Sequence, residues 1–240
     1  GTRLSEETDI VPKPMIQIND KPIIEHIMMC YAKYGFKEFI LAAGYKSLVI
    51  KKYFLDYNIN KSNIKIDFSK NIKKYKIKNK LDWKVQIIDS GINLQTGARL
   101  KYISKFLDNK YDNFFMTYGD GVANVNIKSL LNFHLRKNKI ATMTTVRPQA
   151  RFGSLKVEKD RVINFKEKDR LSEGWINGGF FVLNKKIFKF IDNKSDCIFE
   201  HKPLENLAKR KQLMAYKHEG FWHPMDTLRD KRDLNQLANQ

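Results

Sequence analysis

The chain predicts a doubly wound α/β fold: a mixed, mainly parallel sheet covered by helices on both faces, with a smaller β-rich part toward its C-terminus. Three observations carry that expectation. Short apolar runs alternate with segments of helical spacing through residues 1–147, the order that builds parallel strands joined by crossover helices. One run, "NFFMTYGDG" at 113–121, is too apolar for a strand with one wet face. After Pro148 the alternation gives way to strand-like segments joined at polar turns.

In order along the chain, Pro22 stands where a first helical turn accepts it, and Ile23, Ile27, Tyr31 and Tyr34 recur at helical spacing until Gly35 stops them. "KEFILAAGYK" (37–46) reads as a strand ending in glycine, and "SLVIKKYFLDY" (47–57) returns to amphipathic spacing. "WKVQIID" (83–89) is the next strand, followed by a helix over "TGARLKYISKFL" (96–107) with Leu100, Ile103 and Leu107 on one face. The strand at 113–121, a helix over "IKSLLNFHLRK" (127–137) and a strand over "IATMTTV" (140–146) complete the alternation. "FGSLKVEKDRVINFKEKD" (152–169) reads as two strands joined at a polar turn, and "INGGFFVL" (176–183) as another. There is no internal repeat. One continuous domain, 1–240, follows, with 1–147 as one half of a cleft and 148–240 as the other.

Composition narrows the class. The 240 residues are 42% hydrophobic, enough for a core. No apolar run approaches the roughly 18 residues that span a bilayer, and the N-terminal residues lack secretory-signal order, so the chain reads as cytoplasmic with no membrane partner. Cys30 and Cys197 stand far apart without Cys or His at ligand spacing, which fits two buried thiols rather than a disulfide framework or a zinc site. A formal charge of +19 first points to nucleic acid. Its placement points away: the lysines are scattered, and the one dense block, "KNIKKYKIKNK" (70–80), holds a single aromatic residue, Tyr75. That block reads as a solvated face, and small polyanions such as nucleotides and sugar phosphates remain as partners.

Ligands in doubly wound sheets lie beyond the carboxyl ends of the strands. Asp120, in "YGDGV", is delivered there by the apolar strand, with Gly119 and Gly121 allowing close approach of backbone to a bound group. It suits Mg²⁺, which takes oxygen ligands shared with phosphates, as well as it suits an ordinary turn. Asp226, in "GFWHPMDT", is either a second carboxylate for the same metal or the cap of the helix "TLRDKRDLNQLA". His223 beside it reads as a packing residue. Arg3 and Lys13 are the cations of the opening segment, and Pro12 and Pro14 restrict the backbone around Lys13, which reduces the entropy lost when its ammonium is fixed on a phosphate. Glu167 and Lys168 follow a strand and can meet sugar hydroxyls and a phosphate, or simply end a solvated hairpin. Asn177 with Gly178 and Gly179 inside an apolar strand marks either a close approach or a β-bulge.

Together "GTRL…PKPM", "GYK", "TGARL", "YGDGVA", "RFGSL", "FKEK", "INGGFFVLN" and "GFWHPMDTLRDK" resemble the sugar-1-phosphate nucleotidylyltransferases, over Gly1 to about Lys231. "YGDGVA" and "FWHPMDTLRDK" are more similar to the cytidylyl branch than to the thymidylyl or uridylyl branches. The resemblance implies the Rossmann-like nucleotidyltransferase fold and transfer of a cytidylyl group from CTP to glucose 1-phosphate, releasing pyrophosphate. A thymidylyl- or uridylyltransferase is the alternative, and a basic nucleic-acid binder a remote one. The family begins with a strand and a glycine-rich segment ending in G-T-R. Gly1, Thr2 and Arg3 match that ending, so a strand and the start of the loop are expected before Gly1.

By the same resemblance, Gly1, Thr2, Arg3 and Lys13 hold the nucleotide phosphates, Gly119 also borders the nucleotide, and Thr96 and Arg99 lie near base and ribose. Asp120 and Asp226 bind Mg²⁺; Glu167, Lys168, Asn177 and Gly178 form the glucose-phosphate pocket; Arg3, Lys13 and Asp120 act in the chemistry. Ala98 and "EKDRL" depart from the usual pattern, which has a second glycine and E-K-P. A homo-oligomer, in the form of a hexamer, is implied too, with 70–80 as an intersubunit arm, as is the supply of activated glucose to surface polysaccharide.

Overall fold

A computed structural model describes residues 11–77, 81–148, 154–158, 160–166 and 174–238. A 3-10 turn, Lys13–Met15, leads into the short antiparallel pair β1 (Gln17–Ile18) and β2 (Lys21–Pro22), and Pro22 then precedes helix α1 (Ile23–Ala32). Ile23, Ile27 and Tyr31 form the buried stripe of α1. The chain leaves that helix through Gly35, whose φ of +87° suits glycine alone. β3 (Glu38–Ala43), α2 (Ser47–Leu55), the single turn α3 (Tyr57–Asn60), the hairpin β4 (Ser62–Asp67) and β5 (Ile72–Ile77), and β6 (Lys84–Asp89) follow. β3 and β6 pair in parallel, Ala43 opposite Asp89. The β4–β5 hairpin, which falls across the start of the basic block, pairs only with itself among the described residues.

Helix α4 (Thr96–Ile103) ends in a 3-10 turn, and then come β7 (Asn113–Thr117), β8 (Gly121–Ala123), α5 (Ile127–Lys137) and β9 (Ala141–Val146). Asn126 caps α5 by accepting from the Ser129 amide at 2.9 Å. The second half supplies the antiparallel pair β10 (Ser154–Glu158) and β11 (Arg161–Lys166), the long β12 (Ile176–Asn184), helix α6 (Lys202–Lys209), β13 (Leu213–His218), β14 (Trp222–Pro224) and helix α7 (Leu228–Ala238).

The central sheet runs β13-β9-β12-β7. β13 and β9 are parallel, whereas β12 lies antiparallel to both β9 and β7. Side chains alternate across β12: Phe180 and Val182 join a core with α1, α5 and Leu234 of α7, while Phe181 and Leu183 join a second core with Phe199, Leu204 and Leu207. Both faces are therefore dry, which is why the strand reads as one apolar run, and the doubly wound mixed α/β expectation is borne out. Cys30 and Cys197 are free and half-buried, and burial pushes the Cys30 thiol up to about 11. Among the described residues, no helix is long and apolar enough to cross a membrane.

Candidate active site

β7 ends at Thr117, and the chain crosses Tyr118, Gly119 and Asp120 before pairing again as β8. β8 runs antiparallel to β14, with Gly121 opposite Pro224 and Ala123 opposite Trp222. The ladder continues as Met225 N donates to Asp120 O at 2.7 Å. That register is what brings Asp226 beside Asp120 across more than a hundred residues of chain.

Asp226 does not cap α7. Thr227 does, accepting from Asp230 N at 3.1 Å, while Asp230 Oδ2 reaches back to accept from Thr227 N at 2.8 Å and Asp226 N at 3.0 Å. This is a capping box with aspartate in the glutamate position. It fixes the Asp226 backbone and leaves its carboxylate to the cleft, where Lys13 Nζ donates to Oδ1 at 3.0 Å. The pair is 41% and 53% exposed, so it is worth only about 0–1 kcal/mol and can be exchanged for other partners. Burial raises the Asp120 carboxyl above its ordinary range; Lys13 opposes that shift and the negative charge of Asp226 adds to it. Lys13 and Asp226 thus both act on the charge of Asp120.

Asp120 and Asp226 line a cavity of about 170 Å³ together with Tyr118, Asn177, Gly178 and Trp222. The glycines of β12 shape its wall. Between Asn177 and Phe181 the register against β9 slips, so a bulge and a close approach both occur there. A Cβ on Gly178 would stand 2.8 Å from Val146 Cγ1 and 3.1 Å from Thr144 O, Gly179 takes φ +79°, and Trp222 Nε1 donates to Gly178 O at 2.9 Å.

Lys13 lines a second cavity, of about 360 Å³, with Pro12, Pro14, Gly44, Tyr45 and Arg99. Its bond to Asp226, which lines the first cavity, links the two. The proline turn is pressed against the Asp120 loop, since a Cβ on Gly119 would lie 2.8 Å from Pro14 Cγ. Arg99 ties the cavity floor together: it donates to Ala43 O at 3.2 Å, to Leu94 O at 3.0 Å and to Ser90 Oγ. Burial lowers its pKa, Asp89 opposing.

Thr96 is differently engaged. Its hydroxyl donates to Glu200 Oε2 at 2.6 Å and accepts from Phe199 N at 2.9 Å, so it joins α4 to the 195–200 segment instead of lining either cavity. His223 is buried with Nδ1 2.7 Å from the Pro224 carbonyl, in keeping with a packing role. Gly1, Thr2, Arg3, Glu167 and Lys168 lie outside the described residues. Glu200 and Tyr118 take no role from motif reading: Tyr118 opens "YGDGV" without one, and only an acid in an otherwise apolar "CIFE" run hints at the former.

Among the described residues, no group of three or more His, Cys, Asp or Glu side chains gathers to hold a metal. Two converging carboxylates fit a hard divalent cation that takes its remaining oxygens from substrate phosphates and water, the habit of Mg²⁺. An α/β sheet with paired acids at a strand edge, one of them bound to a lysine that lines a second cavity, is an arrangement suited to phosphate-bearing ligands. Residues 1–236 match the nucleotidyl transferase family, and the chain belongs to it. It is 44% identical over 237 residues to the glucose-1-phosphate cytidylyltransferase of Salmonella typhi, covering 99% of this chain and 91% of that one. It is 39% identical over 240 residues to the probable glucose-1-phosphate cytidylyltransferase of Bacillus subtilis, covering 100% and 93%. The crystal structure of HddC from Yersinia pseudotuberculosis shares the fold at TM-score 0.66 and 24% identity, covering 99% and 95%.

Proposed function

We propose that this enzyme transfers the cytidylyl group of CTP to glucose 1-phosphate, giving CDP-glucose and pyrophosphate. The observation that carries the reading is the convergence of Asp120 and Asp226 in one cavity with Lys13, which pairs with Asp226 and lines a second cavity. Relatives at 44% and 39% identity that bear the cytidylyltransferase name support the base and the sugar. A phosphate oxygen of glucose 1-phosphate attacks the α-phosphorus in line, a P–O bond forms, and the bond to the β-phosphate breaks. No protein nucleophile or general base is needed, because the attacking oxygen is already anionic. The task of the protein is to hold two polyanions together.

In this reading residues 1–147 hold the nucleotide and 148–240 the sugar phosphate. Lys13 exchanges Asp226 for the α-phosphate, Arg99 borders the nucleoside, and Asn177 and Gly178 receive the glucose. Gly1, Thr2 and Arg3 with the phosphates, and Glu167 and Lys168 with the sugar phosphate, keep the roles their motifs imply. Asp120 and Asp226 hold Mg²⁺, which when bound offsets phosphate charge in the transition state. A nucleoside triphosphate substrate places the work in the cytoplasm, and we take the active form to be a homo-oligomer.

The test offers CTP, UTP and TTP side by side with glucose 1-phosphate and Mg²⁺ and measures pyrophosphate release. CTP should be preferred by at least about tenfold, the scale of one lost hydrogen bond in a base pocket. Preference for TTP or UTP would reassign the base, and no release from any of them would remove the activity.

A further inference from the structure

We propose that Glu200 and Tyr118 are positioning residues, which hold the Asn177 amide in one orientation at the sugar cleft and tie that cleft to the helix carrying Arg99. The inference deepens the proposed reaction and rests on it. The connection is a continuous chain of hydrogen bonds. Glu200 Oε2 accepts from Thr96 at the start of α4, and Glu200 Oε1 accepts from the Tyr118 hydroxyl. The same hydroxyl accepts from Asn177 Nδ2 at 3.2 Å, and Asn177 Oδ1 accepts from Gly179 N at 2.8 Å.

Each group has one consistent role. A phenol keeps its proton at neutral pH, so the Tyr118 hydroxyl donates to Glu200 and accepts from Asn177. A flipped Asn177 would set its oxygen against an oxygen that has no proton to give, and its NH₂ against the Gly179 N–H. Only one orientation satisfies both ends, and it leaves the second Nδ2 proton for a ligand hydroxyl in the cavity that Asn177 lines. At the other end, the amides of Gly97 and Ala98 donate to Cys197 O at 2.9 and 3.1 Å, and Gln95 N donates to Ser195 O at 2.9 Å. The first turn of α4 is therefore capped by the 195–197 backbone, and a Cβ on Gly97 would sit 2.9 Å from Cys197 O. α4, with Arg99 in the second cavity, is thereby fastened to the segment that carries Glu200.

Tyr118→Phe tests this with little loss of packing, because the ring edge-on to Phe181 at 5.6 Å is kept. We expect KM for glucose 1-phosphate to rise about tenfold, the scale of one displaced hydrogen bond, with KM for CTP within about twofold. Glu200→Gln keeps an acceptor for the phenol and should stay within about threefold of wild type, whereas Glu200→Ala should raise both KM values. In an Asn177→Ala background, Tyr118→Phe should add nothing. Equal changes in both KM values for Tyr118→Phe, no change, or full additivity with Asn177→Ala would overturn the proposal. If wild type releases no pyrophosphate from CTP and glucose 1-phosphate, the reaction itself has failed. The Asn177 side-chain amide resonance, read without substrate, then decides: it should shift and exchange faster in Tyr118→Phe, and an unchanged resonance overturns the positioning role.

Discussion

Ionised Asp120 is a cost to the folded chain. Its folded pKa lies above the ordinary 3.8, chiefly through burial, so the folded state binds that proton more tightly than the unfolded one. Stability from this group is complete below about 3.8 and is lost as pH climbs through the raised value. Asp120→Asn, neutral throughout, should therefore melt higher than wild type at pH 7, with the gap closing as pH falls toward 3.8. The same variant should turn over at least about a hundredfold more slowly, the scale of losing one preorganised electrostatic contact. Thermal melts across pH beside pyrophosphate release check both; a variant that melts lower, or turns over normally, would remove Asp120 from the strained pair. At this scale the sequence was informative about which residues and less so about what they touch. Glycines frame Asp120 and a rigid loop frames Asp226, which marks both in the sequence, yet whether Asp226 caps a helix depends on Thr227 and Asp230 three residues apart. Thr96, placed near the nucleoside by resemblance, turns its hydroxyl to Glu200, a partner 104 positions away that no local pattern could name.

The elements that deliver the site were mostly readable, because a 3.6-residue or continuous apolar pattern records which faces are buried. Helices α1, α2, α4, α5 and α7 and strands β3, β6, β7, β9, β10, β11 and β12 fall where those patterns placed them. Pattern does not record direction: nothing in "INGGFFVL" says that β12 runs against both neighbours, or that β13 lies beside β9. The slip in β12 and the capping box on α7 are separable parts of the design. Gly178→Val puts a side chain where Val146 and the Thr144 carbonyl already stand, and backbone cannot yield cheaply. It should cost about 1–3 kcal/mol and raise KM for glucose 1-phosphate more than KM for CTP. Asp230→Ala removes the acceptor for two amides beside Asp226 and should cost about 1–2 kcal/mol, with weaker Mg²⁺ dependence. Denaturant melts and Mg²⁺ titrations of turnover separate the two, since only the second variant disturbs a carboxylate.

At the scale of the whole molecule the charge of +19 acts through space rather than through contacts. Scattered lysines make no groove, but their summed field raises the local concentration of any small polyanion, and salt screens that field. The short-range pull of Lys13 on a phosphate inside the cleft is screened far less. Moving from about 0.1 to 1 M salt shrinks the screening length from about 10 to 3 Å, so KM for both anionic substrates should rise several-fold while kcat changes little. Lys73, Lys74 and Lys76 offer the control, because β5 belongs to a hairpin whose residues line neither cavity. Replacing all three by glutamine should leave kcat unchanged and flatten the salt dependence of KM. A kcat that collapses with salt in wild type, or with these replacements at low salt, would mean that the positive charge holds the working assembly together instead of gathering its substrates, and oligomer mass measured across the same salt series would show it.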